Sequence, residues 1–338
     1  MAESLRPPAA GASAEGGRAG RALGRIRSGF VLRRAVRFVV SLGVLLVASF
    51  AMMHLIPGDP VRASLGPAAP AELVAARRAA LGLDEPILSQ LLSYVSNVFR
   101  GDFGTSFLSG EPVQQIIASR LPNTLGLALL ATVVALLVAV PLGMWAAIRT
   151  ENGRNRGTEV TFTSATGAAI AVPEFLYSIA LVTVFAIGLR WFPPAGKAGP
   201  VSYVLPILSL AISPTAMIAR ISRMETLREL GTDYVRLARA KRLPAPRLYF
   251  RHVLPNTLTA TLTVGGMLLA ALIAGSVLVE YVFAWPGLGM RVVESITQKD
   301  YPVAQGVILV YGAIVLVVNL LVDLLLGVLD PTSKLKET

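Results

Sequence analysis

Few residues of this chain could perform covalent or metal chemistry. The 338 residues include two histidines, His54 and His252, and no cysteine. Without cysteine there are no disulfides and no thiolate metal sites, and two distant histidines do not suit a metal centre or a nucleophilic triad. The stretch PAGKAG at 194–199 lacks the upstream glycine and the following Ser or Thr of a phosphate-binding loop. We therefore expect no catalytic, cofactor-binding or metal-binding residues.

Polar side chains inside apolar segments are the second set of candidates. Glu174 follows Pro173 near the middle of one apolar run, and Asn319 and Asp323 lie four residues apart in another. Such residues inside a membrane mark ion or substrate paths by default. The Glu174 carboxylate suits either the ammonium end of a peptide or a polar neighbour on another helix. For Asn319 and Asp323, which share a helix face, packing or helix capping is favoured over a place in a translocation path.

A basic island, DYVRLARAKRLPAPRLYFRHVLPN at Asp233–Asn256, is the third candidate. It lies between two stretches without a charged side chain, 201–219 and 253–279. Asp233 is its one acidic residue, against the basic residues Arg236, Arg239, Lys241, Arg242, Arg247 and Arg251. A basic loop between membrane spans is typical of the cytoplasmic side. The simplest interpretation is that these charges only set topology.

The order of residues inside the island indicates more than a charge signal. Four apolar or small residues recur at helical spacing: Tyr234, Leu237, Ala238 and Leu243. They predict a short helix with one apolar and one basic face, which Pro244 and Pro246 end. A second segment, Leu248 to Val253, leads to Pro255 and Asn256, which suit a helix start. We expect a helix–turn–helix pair that a soluble partner can grip in a groove.

Composition predicts the scaffold that holds these residues. The chain is 54% hydrophobic and 15% charged, whereas soluble domains are about 25% charged. Stretches long enough to cross a bilayer, which takes about 20 residues, are Phe38–Ile56, Leu121–Ile148, Val160–Leu189, Val201–Ala219, Val253–Val279 and Tyr301–Leu329. We expect an all-α polytopic membrane protein with six transmembrane helices, the third being one tilted helix kinked at Pro173.

The charges predict the orientation of these spans. The pieces assigned to the cytoplasm (1–37, 149–159, 220–251 and 330–338) carry a net charge of +13, and the rest of the chain without Asp323 carries −1. This asymmetry follows the positive-inside rule, so both termini are expected in the cytoplasm. It also explains the overall charge of +11 without nucleic acid. Residues 1–33 are expected to be a disordered basic tail that touches anionic lipid.

Several short motifs lie outside the spans. The segment between the first two spans contains PGDPV at 57–61, LGLDEP at 81–86 and GDFGTS at 101–106, followed by EPV. We expect turn or cap roles for Asp59, Asp84 and Asp102 rather than a cation-binding cluster. Before the last span stands EYVFAWPGLGM at 280–290, then KDYP at 299–302. Tyr281 and Trp285 suit a membrane interface.

In this order the motifs resemble those of ABC importer permeases of the dipeptide, oligopeptide and nickel group, especially the B-type subunits of dipeptide permeases. The basic island resembles their EAA loop, with Leu237 and Ala238 at the small-residue pair and His252 to Pro255 at the hydrophobic-x-Leu-Pro ending. Arg242 stands where the family has glycine. If that position needs a positive φ, arginine costs about 1 kcal/mol more than glycine. The resemblance covers residues 34–334.

The resemblance implies a fold, a function and partners. The fold is that of a type I ABC importer permease: residues 34–120 hold the first span and a periplasmic extension, and 121–334 hold a core of five spans with a coupling loop at 233–256. The implied function is ATP-driven uptake of peptides or related small solutes across the bacterial inner membrane. The implied partners are a homologous second permease, two ATP-binding subunits that bind the ATP, and a periplasmic or lipoprotein substrate-binding protein. An ion-coupled secondary transporter is the alternative.

The resemblance also implies roles within the coupling loop. Ala238 is small enough to let helices approach closely, and Leu237 and Leu243 are apolar anchors for the ATP-binding subunit. Asp233 caps the first helix, and Pro255 ends the loop. We also expect contacts with acidic groups at the rim of the partner or with lipid phosphates. These contacts come from Arg236, Arg239 and Arg242.

Overall fold

The computed structural model describes residues 12–55, 60–66, 69–80 and 82–329, and these ranges contain helices and no named strand. The α-helices are α1 Ala12–Leu55, α2 Pro60–Leu65, α3 Ala71–Ala80, α4 Ile87–Phe99, α5 Val113–Thr150, α6 Arg156–Ala171, α7 Glu174–Leu181, α8 Val204–Leu230, α9 Asp233–Ala240, α10 Ala245–Leu248, α11 Leu254–Val282, α12 Leu288–Thr297 and α13 Tyr301–Leu329. Short 3₁₀ turns cover Glu151–Gly153 and Pro200–Tyr203, and π-helical turns cover Val182–Gly188 and Tyr249–Val253.

Helices long and apolar enough to cross a membrane confirm the predicted fold class. Five qualify alone in the described residues: Arg33–His54, Val113–Gly153, Pro200–Leu230, Val264–Val282 and Tyr301–Val322. A sixth crossing is formed if the pair Arg156–Ala171 and Glu174–Gly188 counts as one span.

The third predicted span is not one kinked helix. Its two halves, α6 and α7, are bent by 94° at their junction. Val172 takes extended angles, φ −86° and ψ 124°, because a residue before proline avoids the helical region. Pro173 also cannot donate the backbone hydrogen bond that would continue α6. The correction is therefore a broken helix in place of a tilted one.

The N-terminal helix starts earlier than we expected. Helix α1 begins at Ala12, so residues 12–33 are helical where we expected a disordered tail; residues 1–11 lie outside the described ranges. No proline interrupts residues 12–55, and alanine, arginine and leucine are good helix formers. Among the described residues, those up to Val44 form one compact unit and those from Leu45 onward another.

Helices α5 and α8 pack closely against each other in the second unit. A methyl group placed on Gly143 of α5 would lie 2.7 Å from Cβ of Ser222 and 2.9 Å from the backbone nitrogen of Arg223 on α8. Only glycine allows this approach, as at many helix contacts in membranes. The hydroxyl of Ser222 donates a hydrogen bond to the carbonyl of Val140 at 3.2 Å. This pair is the frame on which the candidate site is built.

The segment between α4 and α5 is tied to the start of α13. Asp300 is fully buried and accepts hydrogen bonds from the hydroxyl of Ser106 at 2.6 Å and the backbone N–H of Phe107 at 2.9 Å. The carboxylate of Asp102 accepts from the N–H of Gly104 at 2.9 Å, which confirms its predicted turn role. Asp84 instead pairs with Arg78 at 3.1 Å, and Asp59 lies outside the described residues.

The junction between α11 and α12 buries two large side chains. Glu280 is fully buried and accepts from the N–H of Gly289 at 2.7 Å and of Met290 at 3.2 Å, in the first turn of α12. A carboxylate there satisfies orphan amides and the helix dipole. Trp285 is fully buried against Tyr203, with ring centroids 4.5 Å apart. Trp285 therefore packs inside the chain instead of being exposed at the surface, because the chain folds back at 284–287 and α12 packs over α11; its depth in the membrane stays a prediction.

Candidate functional site

The basic island forms the two short helices that its sequence predicts. Helix α9 covers Asp233–Ala240, and α10 covers Ala245–Leu248 with Pro244 at its N-cap. A π-helical turn, Tyr249–Val253, then runs directly into α11. The second helix starts three residues earlier than Leu248, since Pro246 is tolerated in a first helical turn. Pro255 lies in the first turn of α11, as expected for a helix start.

One face of the loop is packed inside its own chain. Buried apolar residues from α8, α9, α10 and the π turn form one cluster: Leu230, Val235, Ala238, Leu248 and Val253. Ile148 at the end of α5 packs against it, as do Leu243 and Tyr249. Ala238, which is 8% exposed, therefore allows a close helix approach within this chain. Leu243 is likewise an internal anchor.

Other apolar side chains of the loop are exposed outside this cluster. Leu237 is 57% exposed and Phe250 is 65% exposed. Leu237 thus keeps its expected place at the surface of the loop. Phe250 was not among the predicted residues, although an aromatic residue flanked by Arg247 and Arg251 in a loop was the available signal, since such residues are enriched at binding interfaces.

The turn that ends α9 shows which backbone conformation Arg242 adopts at the position where the family has glycine. Arg242 has φ +53°, the left-handed conformation that favours glycine. Its N–H donates to the carbonyl of Arg239 at 2.9 Å, and the N–H of Leu243 donates to the carbonyl of Ala238 at 3.2 Å. These are the two bonds of a Schellman motif, with Leu243 and Ala238 making its apolar contact. The position does require a positive φ, so arginine is strained there by about 1 kcal/mol.

Two of the expected charge roles differ from the structure. The N-cap of α9 is Thr232, in extended conformation, and Asp233 lies in the first turn, where its carboxylate pairs with Arg236 at 3.3 Å. The predicted cap role of Asp233 is therefore wrong, because the helix starts at Asp233 itself, one residue earlier than a cap at Asp233 requires. Arg236 forms an exposed ion pair with Asp233 instead of the expected contact with a partner or lipid. In the described residues, no hydrogen bond or ion pair involves the Arg242 guanidinium.

Arg239 ties the loop to the end of α5. Its guanidinium contacts both carboxylate oxygens of Glu151, at 2.8 Å and 3.0 Å. The hydrogen bond to Glu151 raises the pKa of Arg239 above its usual value. We expected Arg239 to meet acidic groups of a partner or lipid phosphates, and the structure uses it inside the chain instead. This two-pronged pair holds α9 against the helix α5.

A third link joins the loop to α8 and α11. The amide of Asn256 donates to the hydroxyl of Tyr234 at 2.9 Å, and that hydroxyl donates to the carboxylate of Glu229. The three residues belong to the start of α11, to α9 and to the end of α8. The loop is therefore anchored to three long helices: α5, α8 and α11.

The candidate path residues are not brought together by described contacts. Glu174 is the first residue of α7, directly after the break at Pro173. Its carboxylate faces Gly275 of α11, where an added Cβ would lie 2.7 Å from Oε2. No described side chain donates a hydrogen bond to that carboxylate. Asn319 is exposed on α13, and the side chain of Asp323 lies outside the described residues.

Comparisons with known proteins agree with these features. Residues 139–334 match the family model described as "Binding-protein-dependent transport system inner membrane component". Residues 27–128 match "Binding-prot-dependent transport system membrane comp, N-term". Apart from residues 129–138 within the second span, the two matches together cover the spans, the basic loop and the segment that carries the short motifs.

Relatives and one solved structure point the same way. The glutathione transport system permease protein GsiC of Escherichia coli (strain K12) is 36% identical over 307 residues, 91% of this chain and 99% of that protein. GsiC of Salmonella choleraesuis (strain SC-B67) is 35% identical over the same shares. A structure of the MetNI methionine ABC transporter in an inward-facing conformation matches the fold with a TM-score of 0.53 at 15% identity, covering 64% of this chain and 97% of the other.

The family assignment follows from both kinds of match. One family model alone covers more than half of the chain, and the relatives exceed 30% identity over nine-tenths of it. These matches confirm the resemblance and give the ion-coupled secondary transporter no support. A permease of this family is a non-catalytic, multi-pass subunit of the inner membrane that works with ATP-binding subunits and a substrate-binding protein. The chain belongs to the inner membrane components of binding-protein-dependent transport systems, as an ABC importer permease of the peptide and nickel group.

Proposed function

We propose that the loop Asp233–Asn256 docks into a groove of an ATP-binding subunit and transmits its movement to the membrane helices. The observation that carries this proposal is the division of the loop into two faces. Its inner face is buried against its own chain, and its outer face exposes Leu237 and Phe250 among arginines. Exposed apolar residues with a polar rim are the usual composition of an interface.

The anchoring of the loop supports a mechanical role. The apolar cluster fixes α9 to the ends of α5 and α8, the Arg239–Glu151 pair fixes it to α5, and the Asn256–Tyr234–Glu229 bonds fix it to α8 and α11. A force on the exposed face therefore moves these helices with the loop. Allosteric coupling requires such an element, held differently in two global states.

The complete transporter contains more than this chain. We infer a homologous second permease beside it, two subunits that bind and hydrolyse ATP, and a periplasmic or lipoprotein binding protein that delivers the solute. Both termini lie in the cytoplasm, in agreement with the net charge of +13 on the pieces assigned to that side. Membrane lipids are the remaining partner, and no part of the function needs nucleic acid.

The transported solute is a peptide or a related small molecule, a class that includes glutathione. The support for this class is the pair of relatives named as glutathione transport permeases. Glu174 suits the ammonium group of such a solute, because its carboxylate lacks a described donor and sits at a broken helix. Broken membrane helices are common at substrate sites. Asn319 and Asp323 are the further candidates for this path, with packing as their alternative role.

Reconstitution tests the proposed function. The isolated chain in vesicles should take up no peptide or glutathione under an ion gradient or with ATP. Addition of the ATP-binding subunits, the second permease and the binding protein should give ATP-dependent uptake. Gradient-driven uptake by the isolated chain would contradict the proposal.

A further inference from the structure

Helix α4, Ile87–Phe99, belongs neither to the coupling loop nor to the candidate path. Its sequence, ILSQLLSYVSNVF, carries no charged side chain. At about 1.5 Å per residue it is about 20 Å long, which is too short to cross a hydrocarbon core of about 30 Å. An apolar helix of this length must therefore be covered in some other way.

One face of α4 packs on the end of the first span. The hydroxyl of Tyr94 lies 3.1 Å from that of Ser49, and its ring lies 5.8 Å from that of Phe50. The side-chain oxygen of Gln90 lies 3.2 Å from a ring nitrogen of His54. Because the apolar stretch Arg33–His54 ends at this histidine, these contacts hold α4 beside the end of the first span, where its sequence predicts the edge of the hydrocarbon core.

A second face of α4 is apolar and uncovered. Residues 88, 92, 95 and 99 follow one another by four, three and four positions, so they form a single stripe. Leu88 is 67%, Leu92 64% and Phe99 75% exposed, and Val95 is half-buried between them. The stripe consists of these four apolar side chains and offers a partner neither charge nor side-chain hydrogen bonds.

A third face is polar and begins one position further along the helix. Ser89, Ser93 and Ser96 repeat the same spacing, and Ser93 and Ser96 are exposed. The helix thus has one face for its own chain, one apolar face and one polar face. Three faces of this kind suit a helix that lies flat at the boundary between hydrocarbon and water.

We propose that α4 lies in the plane of the membrane interface, with Leu88, Leu92, Val95 and Phe99 inserted among lipid acyl chains and Ser93 and Ser96 in water. The occupant of the apolar stripe is the phospholipid bilayer itself. The contacts of Tyr94 and Gln90 with the end of the first span favour this occupant, because they hold α4 at the level where that span ends.

The position of α4 has a consequence for the segment that follows it. The turn from Gly101 to Ser106 begins two residues after Phe99 and bonds to Asp300 at the start of α13. Insertion of α4 therefore fixes this turn at a set height above the bilayer. Such a support keeps the extension in one position while the spans change their arrangement.

The absence of cysteine from the chain makes a direct test possible. Leu92→Cys and its neighbour Ser93→Cys are labelled with a nitroxide in the complete transporter, reconstituted in phosphatidylethanolamine–phosphatidylglycerol vesicles. Collision with oxygen, which enters the bilayer, is compared with collision with a water-soluble nickel chelate. The Leu92 label should prefer oxygen at a depth of about 5–10 Å, and the Ser93 label should prefer the nickel chelate.

Two results would overturn the proposal. Equal access of both labels to the nickel chelate would place the stripe in water, and shielding of the Leu92 label from both reagents would place a protein on it. Phe99→Cys, with Asn97→Cys as its control, provides an independent pair should a substitution at Leu92 disturb folding. The Phe99 label should prefer oxygen, and the Asn97 label should prefer the nickel chelate.

Discussion

Leu237 and Ala238 are neighbours in α9, and the structure predicts opposite consequences for the same substitution. Ala238 is 8% exposed inside an apolar cluster, and Leu237 is 57% exposed on the outer face. In Ala238→Asp, the new carboxylate enters a site whose neighbours are Leu230, Val235 and Leu248. A buried charge without a partner destabilises a protein by about 3–5 kcal/mol, so the loop should detach from α5 and α8.

Leu237→Asp should leave the isolated permease almost unchanged. Surface substitutions usually change the free energy of unfolding by less than about 0.5 kcal/mol. The loop therefore keeps its shape but loses an apolar contact with the ATP-binding subunit. An apolar anchor at the centre of an interface is worth about 2 kcal/mol or more, which is at least about a 30-fold loss of affinity.

Two assays separate these effects. Denaturant unfolding of the purified permease in detergent measures stability, with Ala240→Asp, an exposed position of the same helix, as the control. Co-purification of the ATP-binding subunits, with uptake per ATP hydrolysed, measures coupling. Wild-type stability of Ala238→Asp would refute the burial argument, and wild-type coupling of Leu237→Asp would refute the docking face.

The remaining predictions concern other sites. Arg242→Gly should raise the free energy of unfolding by about 1 kcal/mol, since glycine adopts φ +53° without strain. Unfolding in denaturant measures this free energy, and an unchanged value would mean that this φ carries no strain. Asp300→Asn should lower stability by about 1.5–3 kcal/mol, because it weakens charge-assisted bonds from Ser106 and Phe107; wild-type stability in the same assay would contradict this. Glu174→Gln should slow uptake of a free peptide more than of the same peptide N-acetylated, both at concentrations that saturate the binding protein; equal slowing would remove Glu174 from contact with the ammonium group.

The spans and the loop were predictable because their signals are local. Hydropathy located each apolar run, and charge together with Pro244 and Pro246 located the helix pair. Helical spacing placed Leu237 and Ala238 together on one apolar side of α9. Neighbouring residues lie about 100° apart on a helix, and only packing against α8 and α10 decides that Ala238 turns inward and Leu237 outward.

The features that were not predicted depend on distant contacts. Pro173 indicated a break in the third span, but the 94° bend also requires α7 to pack on α8 and α11. Trp285 has the composition of an interface residue and is buried by Tyr203, 82 positions earlier in the chain. Asp300 and Ser106 are separated by 194 residues. No local pattern reports that such residues meet.

Cross-linking from Leu237 tests the docking of the loop most directly. Leu237→Cys carries a benzophenone label in the complete transporter. The control is Leu73→Cys on α3, which is 51% exposed and which the charge pattern predicts on the opposite side of the membrane. The Leu237 label should attach to the ATP-binding subunit, with a yield that differs between ATP-bound and nucleotide-free complexes, and the Leu73 label should not attach. An assembled, transporting complex in which the Leu237 label reaches no ATP-binding subunit in either state would contradict the account.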